Sequence, residues 1–349
     1  NNWDEADSKL SAIKNYQKQY NTSVLISEKQ IDIEILYNKL NIFNLCKKGY
    51  LITGGLLFAV ALTLMLGGIN KWLKRGVIIL TISILLFFTT HTLGMVARGY
   101  IAEYAPWSNS YETMIYVAWV TVLGGLFFSR RNLMTFALAT LFGGVILFVS
   151  GLNWMDPQIS PLVPVLKSPW LMFHVAVIVA AYGFFGISCM LSITNLVIIS
   201  LLKPNNNKHL SLRLKELSII NEMQIIIGLV LMTIGTFLGA IWANESWGRY
   251  WGWDPKETWA LITMIIYAVV LHVRLVDKWK NNVWFNNLIC LVAFSSVLMT
   301  YFGVNYLLSG MHSYGNSNIS SNFPFIIGII SILILTLSII SYRKRKKRE

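Results

Sequence analysis

Two groups of residues in this chain have the types and spacing to do chemistry. The first is the stretch "WGRYWGWDPKETWALITM", residues 247–264. It packs four tryptophans, Gly248, Gly252 and the charged residues Arg249, Asp254, Lys256 and Glu257 into eighteen positions. The second is the set of five histidines, His91, His174, His209, His272 and His312. Glycines beside aromatic rings let a flat ligand approach the backbone closely, and Arg249 and Lys256 offer cations to a carboxylated one. An aromatic belt at a membrane surface accounts for one or two tryptophans. Trp247, Trp251, Trp253 and Trp259 with Tyr250 and the paired glycines exceed that, and read as a ligand platform. Two imidazoles beside such a wall match what haem iron and its porphyrin need. Zinc would want a third or fourth protein ligand and has no use for the tryptophans.

Which histidines reach the platform depends on the elements that carry them. The chain has 349 residues, 55% hydrophobic and only 13% charged, with a mean hydropathy of +0.56. A soluble domain carries about a quarter charged residues. Apolar runs long enough to cross a bilayer recur at roughly 50–70, 76–97, 112–128, 133–151, 170–202, 218–241, 258–274, 286–308 and 323–342. The expected fold is an all-α polytopic integral membrane protein with about nine transmembrane helices. Asn1 in place of Met suggests a fragment or a processed chain.

Basic residues crowd into alternate loops: Lys71, Lys74 and Arg75; Arg130 and Arg131; Lys203, Lys208, Arg213 and Lys215; Arg274, Lys278 and Lys280; and the tail "RKRKKR". The opposite loops hold only Arg98, Lys167, Arg249 and Lys256. The positive-inside rule makes the first set cytoplasmic. The net charge of +13 is then topological, and nucleic acid is not an expected partner. The outer face receives "RGYIAEYAPWSNSYE", "NWMDPQISPLVPVLKSP", the tryptophan stretch and "SGMHSYGNSNISSN". Cys46, Cys189 and Cys290 form no Cys-x-x-Cys, which leaves redox and metal roles for them unsupported. They read as buried or lipid-facing thiols.

"DPKE" is a helix start, with Asp254 as N-cap, Pro255 at the first helical position and Glu257 closing a capping box. Trp247, Trp251 and Trp253 then precede the span. His174 stands one turn into a helix opening near Pro169, and His312 lies in the last outer loop, so both share the platform's face. His272 lies thirteen residues beyond Trp259, roughly 20 Å deeper at helical rise. His91 suits packing or hydrogen bonding inside a span better than ligation, and His209 sits in a polar cytoplasmic loop.

"WGRYWGWDPKETWALITMIIYAVVLHVR" resembles the WWD signature of haem-handling proteins, and "FGVNYLLSGMHSYG" resembles the second hallmark of their CcsA (ResC) branch, in System II cytochrome c biogenesis. "RGYIAEYAPWSNSYE" is similar to that family's outer segment, although members often carry Trp and His where this chain has Gly99 and Tyr104. The resemblance covers about residues 50–342. It implies an outer-face WWD platform where Trp247, Trp251 and Trp253 hold the porphyrin and Arg249 and Lys256 the propionates, with Asp254 counted among the binding residues. It implies His174 and His312 as axial ligands at the reacting site, and His272 as a third iron ligand inside the membrane. The cargo is haem b, held non-covalently in transit, and the partners are apocytochrome c and the CcsB (ResB) half.

Residues 1–45 resemble the tail of a CcsB outer domain, as in fused CcsBA chains; 46–342 form the haem-handling domain and 343–349 a basic cytoplasmic tail. The implied setting is a bacterial inner membrane. The implied activity is export of haem and its thioether attachment to Cys-x-x-Cys-His, a synthetase of haem lyase type acting with CcsB. Two other readings stay open: a haem transporter without attachment activity, and an electron-transfer membrane cytochrome.

Overall fold

The computed structural model describes residues 2–20, 26–67, 70–152, 155–162, 167–201, 208–280, 282–308, 310 and 323–346. All regular structure among them is helical. The helices are α1 (Trp3–Tyr20), α2 (Glu28–Leu40), α3 (Ile42–Met65), α4 (Lys71–Ala102), α5 (Ser110–Phe128) and α6 (Leu133–Ser150). They continue with α7 (Pro169–Leu201), α8 (Lys208–Trp247), α9 (Pro255–Val273), the short α10 (Asp277–Lys280) and α11 (Val283–Leu298). A π-helical turn (Met299–Gly303) leads into α12 (Val304–Leu307), and α13 (Phe323–Lys346) covers the last apolar run. Among the described residues, eight stretches are long and apolar enough to cross a membrane. The chain is a polytopic helical membrane protein.

The sequence placed the first span from about residue 50, but α3 begins at Ile42. Lys47 and Lys48 hid its first turns, because lysines can lie along a membrane helix with the ammonium at its edge. The segment before it is helical as well. Neither α1 nor α2 buries a residue fully, but α2 is tied to the end of α4 by Gln30 Nε2 donating to the Ile101 carbonyl at 2.9 Å.

Side-chain caps fix where several helices start. Asn70, Asn109, Asn132 and Asn282 each accept a backbone N–H from the first turn of α4, α5, α6 and α11, satisfying donors that a helix leaves orphaned. α9 opens with the expected capping box of Asp254 and Glu257.

The centre of the bundle is the antiparallel pair α7 and α8. With 33 and 40 residues, at 1.5 Å per residue they reach roughly 50 and 60 Å, well beyond a hydrocarbon core of about 30 Å. Small residues let neighbouring helices come close, as expected where no hydrophobic effect drives them together. A Cβ at Gly54 of α3 would lie 2.6 Å from the Leu141 nitrogen of α6. A polar ladder links α7, α8 and α11 in the half of the bundle nearer the basic loops. Ser188 donates to Asn221 Oδ1, and the Asn195 and Asn221 amides both donate to Asn287 Oδ1, at 2.9 and 3.1 Å. All three cysteines are reduced and buried.

Candidate functional site

At the end of the bundle where α7 and α9 begin and α8 ends, a cavity of about 420 Å³ opens among the helices. Binding sites for small molecules typically span about 300 to 1,000 Å³. Its walls include His174, Trp242, Trp251, Lys256, Tyr301 and Asn305.

Each wall residue is set by a local device. His174 stands on the second turn of α7, with Nδ1 2.7 Å from the Gly235 carbonyl of α8. The capping box orients the first turn of α9, and Glu257 reaches back to accept from Gly252 N at 2.8 Å, drawing the Trp251 loop onto the helix start. Lys256 Nζ donates to Asn305 Oδ1 at 2.9 Å across the cavity wall. The π turn after α11 brings Tyr301 and Asn305 to the same wall. Thr300 holds that turn by donating to the Ser296 carbonyl at 2.7 Å and meeting Thr263 Oγ1 at 2.9 Å. Tyr301 OH donates to the Ser110 carbonyl at 2.9 Å, tying α5 to the same wall.

The tryptophans divide. Trp251 lines the cavity, and its buried Nε1 has no hydrogen-bond partner among the described residues. Trp253 meets it edge-on at 5.8 Å but is 71% exposed, and its φ of 55° is left-handed. That conformation is rare for a bulky residue, and it turns the indole out of the cavity. Trp247 packs edge-on against Trp242 at 4.8 Å. The fully buried Trp242 takes a wall position that sequence reasoning missed. Its signal was its register on α8, four and seven positions after Gly235 for Gly239 and Trp242, which puts all three on one helix face. Arg249 is exposed, with its guanidinium folded over Gly252.

The remaining sequence candidates lie elsewhere. His272 is exposed at the far end of α9, its Nδ1 2.7 Å from the Ala268 carbonyl. His91 is fully buried on α4 against α3, 3.2 Å from Tyr50 OH. His209 is exposed at the start of α8. His312 lies outside the described residues.

Sequence reasoning also passed over the group that holds the cavity's loop wall. Arg98 is 1% and Glu112 0% exposed, and they pair at 2.8 Å. Arg98 further donates to the carbonyls of Pro157 and Gln158 at 2.9 and 3.2 Å, and lies 5.2 Å from the Tyr111 ring centre. Glu112 accepts from Ser108 N at 3.0 Å. Tyr104 donates to the Ser160 carbonyl at 3.0 Å. Burial and the Glu112 carboxylate raise its phenol above the ordinary range, so it keeps that proton at neutral pH. Ser108 and Ser160 line the cavity, and one buried ion pair thus locks two loops into a wall. Its signal was an arginine inside an apolar run, fourteen residues before a capping-position glutamate.

Residues 107–312 match the family model described as cytochrome C assembly protein. The chain belongs to that family. The matched region of this cytochrome c assembly protein runs from Trp107, in the loop wall, through the tryptophan stretch to His312. Among its relatives, Protein NrfI of Wolinella succinogenes is 42% identical over 311 residues, 88% of this chain and 34% of NrfI. The chain therefore spans about a third of that relative's length. The cytochrome c biogenesis protein CcsA of Cyanophora paradoxa is 34% identical over 296 residues, 70% of this chain and 89% of that protein. CcsA of Guillardia theta is 33% identical over 287 residues, 73% of this chain and 93% of that protein. The assembly protein is thus a CcsA-type membrane protein of cytochrome c biogenesis.

Proposed function

We propose that the cavity receives haem b as cargo and presents it to apocytochrome c, with His174 and His312 as opposite axial ligands. What carries this reading is one imidazole, the three tryptophan rings of Trp107, Trp242 and Trp251 and a lysine around a single cavity of ligand size, in a chain of the assembly family. Trp251 and Trp242 supply apolar contact for a porphyrin face, and Lys256, hydrogen-bonded to Asn305, offers an ammonium to a propionate. Arg249 and Trp253 sit at the rim, where they contact whatever approaches from outside. In attachment, two cysteine thiols of Cys-x-x-Cys-His add across the haem vinyl groups. The chain's part is to orient the porphyrin and occupy the iron until an incoming histidine displaces one of its own.

Purified full-length chain, with and without its CcsB partner, incubated with haem and apocytochrome c, tests this. Covalent haem on the apocytochrome and a low-spin spectrum on the free chain are expected. Bound haem that never becomes attached under either condition would reduce the protein to a carrier.

His272 serves acquisition in this reading, since it stands at the opposite end of α9 from the cavity. His272→Ala should lower total bound haem several-fold and leave the spectrum of the remaining haem unchanged. Normal haem content and normal cytochrome c yield in that variant would make His272 a surface residue only.

A further inference from the structure

Gly235 and Gly239 lie one turn apart on α8 and face the same strip of α7. A Cβ at Gly235 would fall 2.8 Å from Ile178 Cβ and 2.9 Å from its Cα and nitrogen. A Cβ at Gly239 would fall 2.6 Å from both Cε1 and Nδ1 of the His174 imidazole. Small residues at this spacing ordinarily serve backbone approach alone. Here the first glycine does that, while the second clears space for a histidine ring.

The approach also delivers a hydrogen bond. The Gly235 carbonyl sits 2.7 Å from His174 Nδ1, and a carbonyl can only accept, so the proton resides on Nδ1. The neutral ring then carries its lone pair on Nε2. Histidines that bind a metal almost always donate their other N–H to a carbonyl, carboxylate or water, which fixes ring plane and tautomer. The acceptor here is main chain, held at that distance only because the two helices touch at glycine.

We propose that the Gly235-x-x-x-Gly239 face of α8 is a socket that fixes the plane and tautomer of His174, so that Nε2 is the nitrogen presented to haem iron. Both glycines are positioning residues acting through His174. The inference rests on His174 being an axial ligand. A methyl group at position 239 pushes the ring off the Gly235 carbonyl, which tilts the iron bond and releases the tautomer.

The test uses the full-length chain loaded with haem and read by its absorption spectrum. Disturbing such an outer partner of a metal ligand typically costs about 10- to 100-fold in affinity or activity, and Gly239→Ala should weaken haem retention on that scale. Part of the remaining haem should become high-spin, and added imidazole should return it to low-spin. Gly228→Ala is the packing control: its Cβ would lie 2.6 Å from the Phe185 ring, an equal crowding on the same helix away from His174. It should leave the spectrum unchanged. In a His174→Gly background without imidazole, adding Gly239→Ala should change haem retention and spectrum no further, because no ring remains to be displaced.

Equal effects of Gly239→Ala and Gly228→Ala, or a full additional loss in the His174→Gly background, would overturn the socket. An unaltered low-spin spectrum in His174→Gly alone would instead reject His174 as the ligand, a separate failure. A measurement on the unsubstituted chain does not depend on any variant folding. The ¹⁵N imidazole shifts of His174, assigned by difference against His174→Gln, should show a protonated Nδ1 and an unprotonated Nε2. The reverse tautomer would also overturn the socket.

Discussion

Replacing His174 by Gly should convert bound haem from low-spin to five-coordinate or water-ligated, and millimolar imidazole should convert it back. The substitution removes one ring and adds no bulk, so the vacated space on α7 admits free imidazole. Some attachment activity should return with the spectrum, because only the iron–nitrogen bond was missing. The loss without imidazole should exceed the roughly 10- to 100-fold that disturbing an outer partner typically costs, since here the ligand itself is gone. Trp251→Ala should give the opposite response. It removes roughly 2 to 3 kcal/mol of apolar contact, or about 30- to 150-fold in haem affinity. Imidazole cannot replace a porphyrin wall, so the haem should stay lost. An unchanged low-spin spectrum in both His174→Gly and His312→Gly would place the iron elsewhere and leave the cavity without its assigned cargo.

The Arg98–Glu112 pair should show the largest effect on stability. Both side chains are almost entirely out of solvent, and neutralising one leaves the other charged and buried. Glu112→Gln should cost about 3 to 5 kcal/mol, read as a lowered unfolding temperature in detergent. Arg98→Met combined with Glu112→Leu should recover much of that, because replacing a whole buried pair with apolar groups is often neutral or better. Haem retention should fall in the single variant even below its unfolding temperature, since Arg98 holds the 157–158 backbone beside the cavity's loop wall. Wild-type unfolding of Glu112→Gln would show that the pair contributes nothing to folding.

Much of this protein is written in local pattern. Apolar runs of bilayer length specify the helices, and the caps at Asn70, Asn109, Asn132 and Asp254 specify where four of them begin. Both follow from interactions within a few residues. The start of α9 was legible in "DPKE" because each capping bond closes inside one turn. The position of His174 near the opening of a helix at Pro169 was legible for the same reason.

The walls of the cavity were not. Trp253 and Trp251 are two residues apart in one motif, yet one lines the cavity and the other is exposed, because a left-handed backbone at residue 253 reverses the chain into the capping box. Trp242 outranks Trp253 as a wall only because α8 continues to Trp247 and lays that face against α7. Arg98 finds Glu112 and two carbonyls near residue 158 from separate segments, a convergence no window of sequence contains. Sequence by itself determined the membrane class, the apolar helices, the start of α9 and the residue types proposed to hold haem. Tertiary structure decided which side chains share a cavity and which nitrogen of His174 carries the proton, because those depend on how closely α7 and α8 approach, and Gly235 permits that approach and Gly239 clears the ring's space only once the two helices have paired.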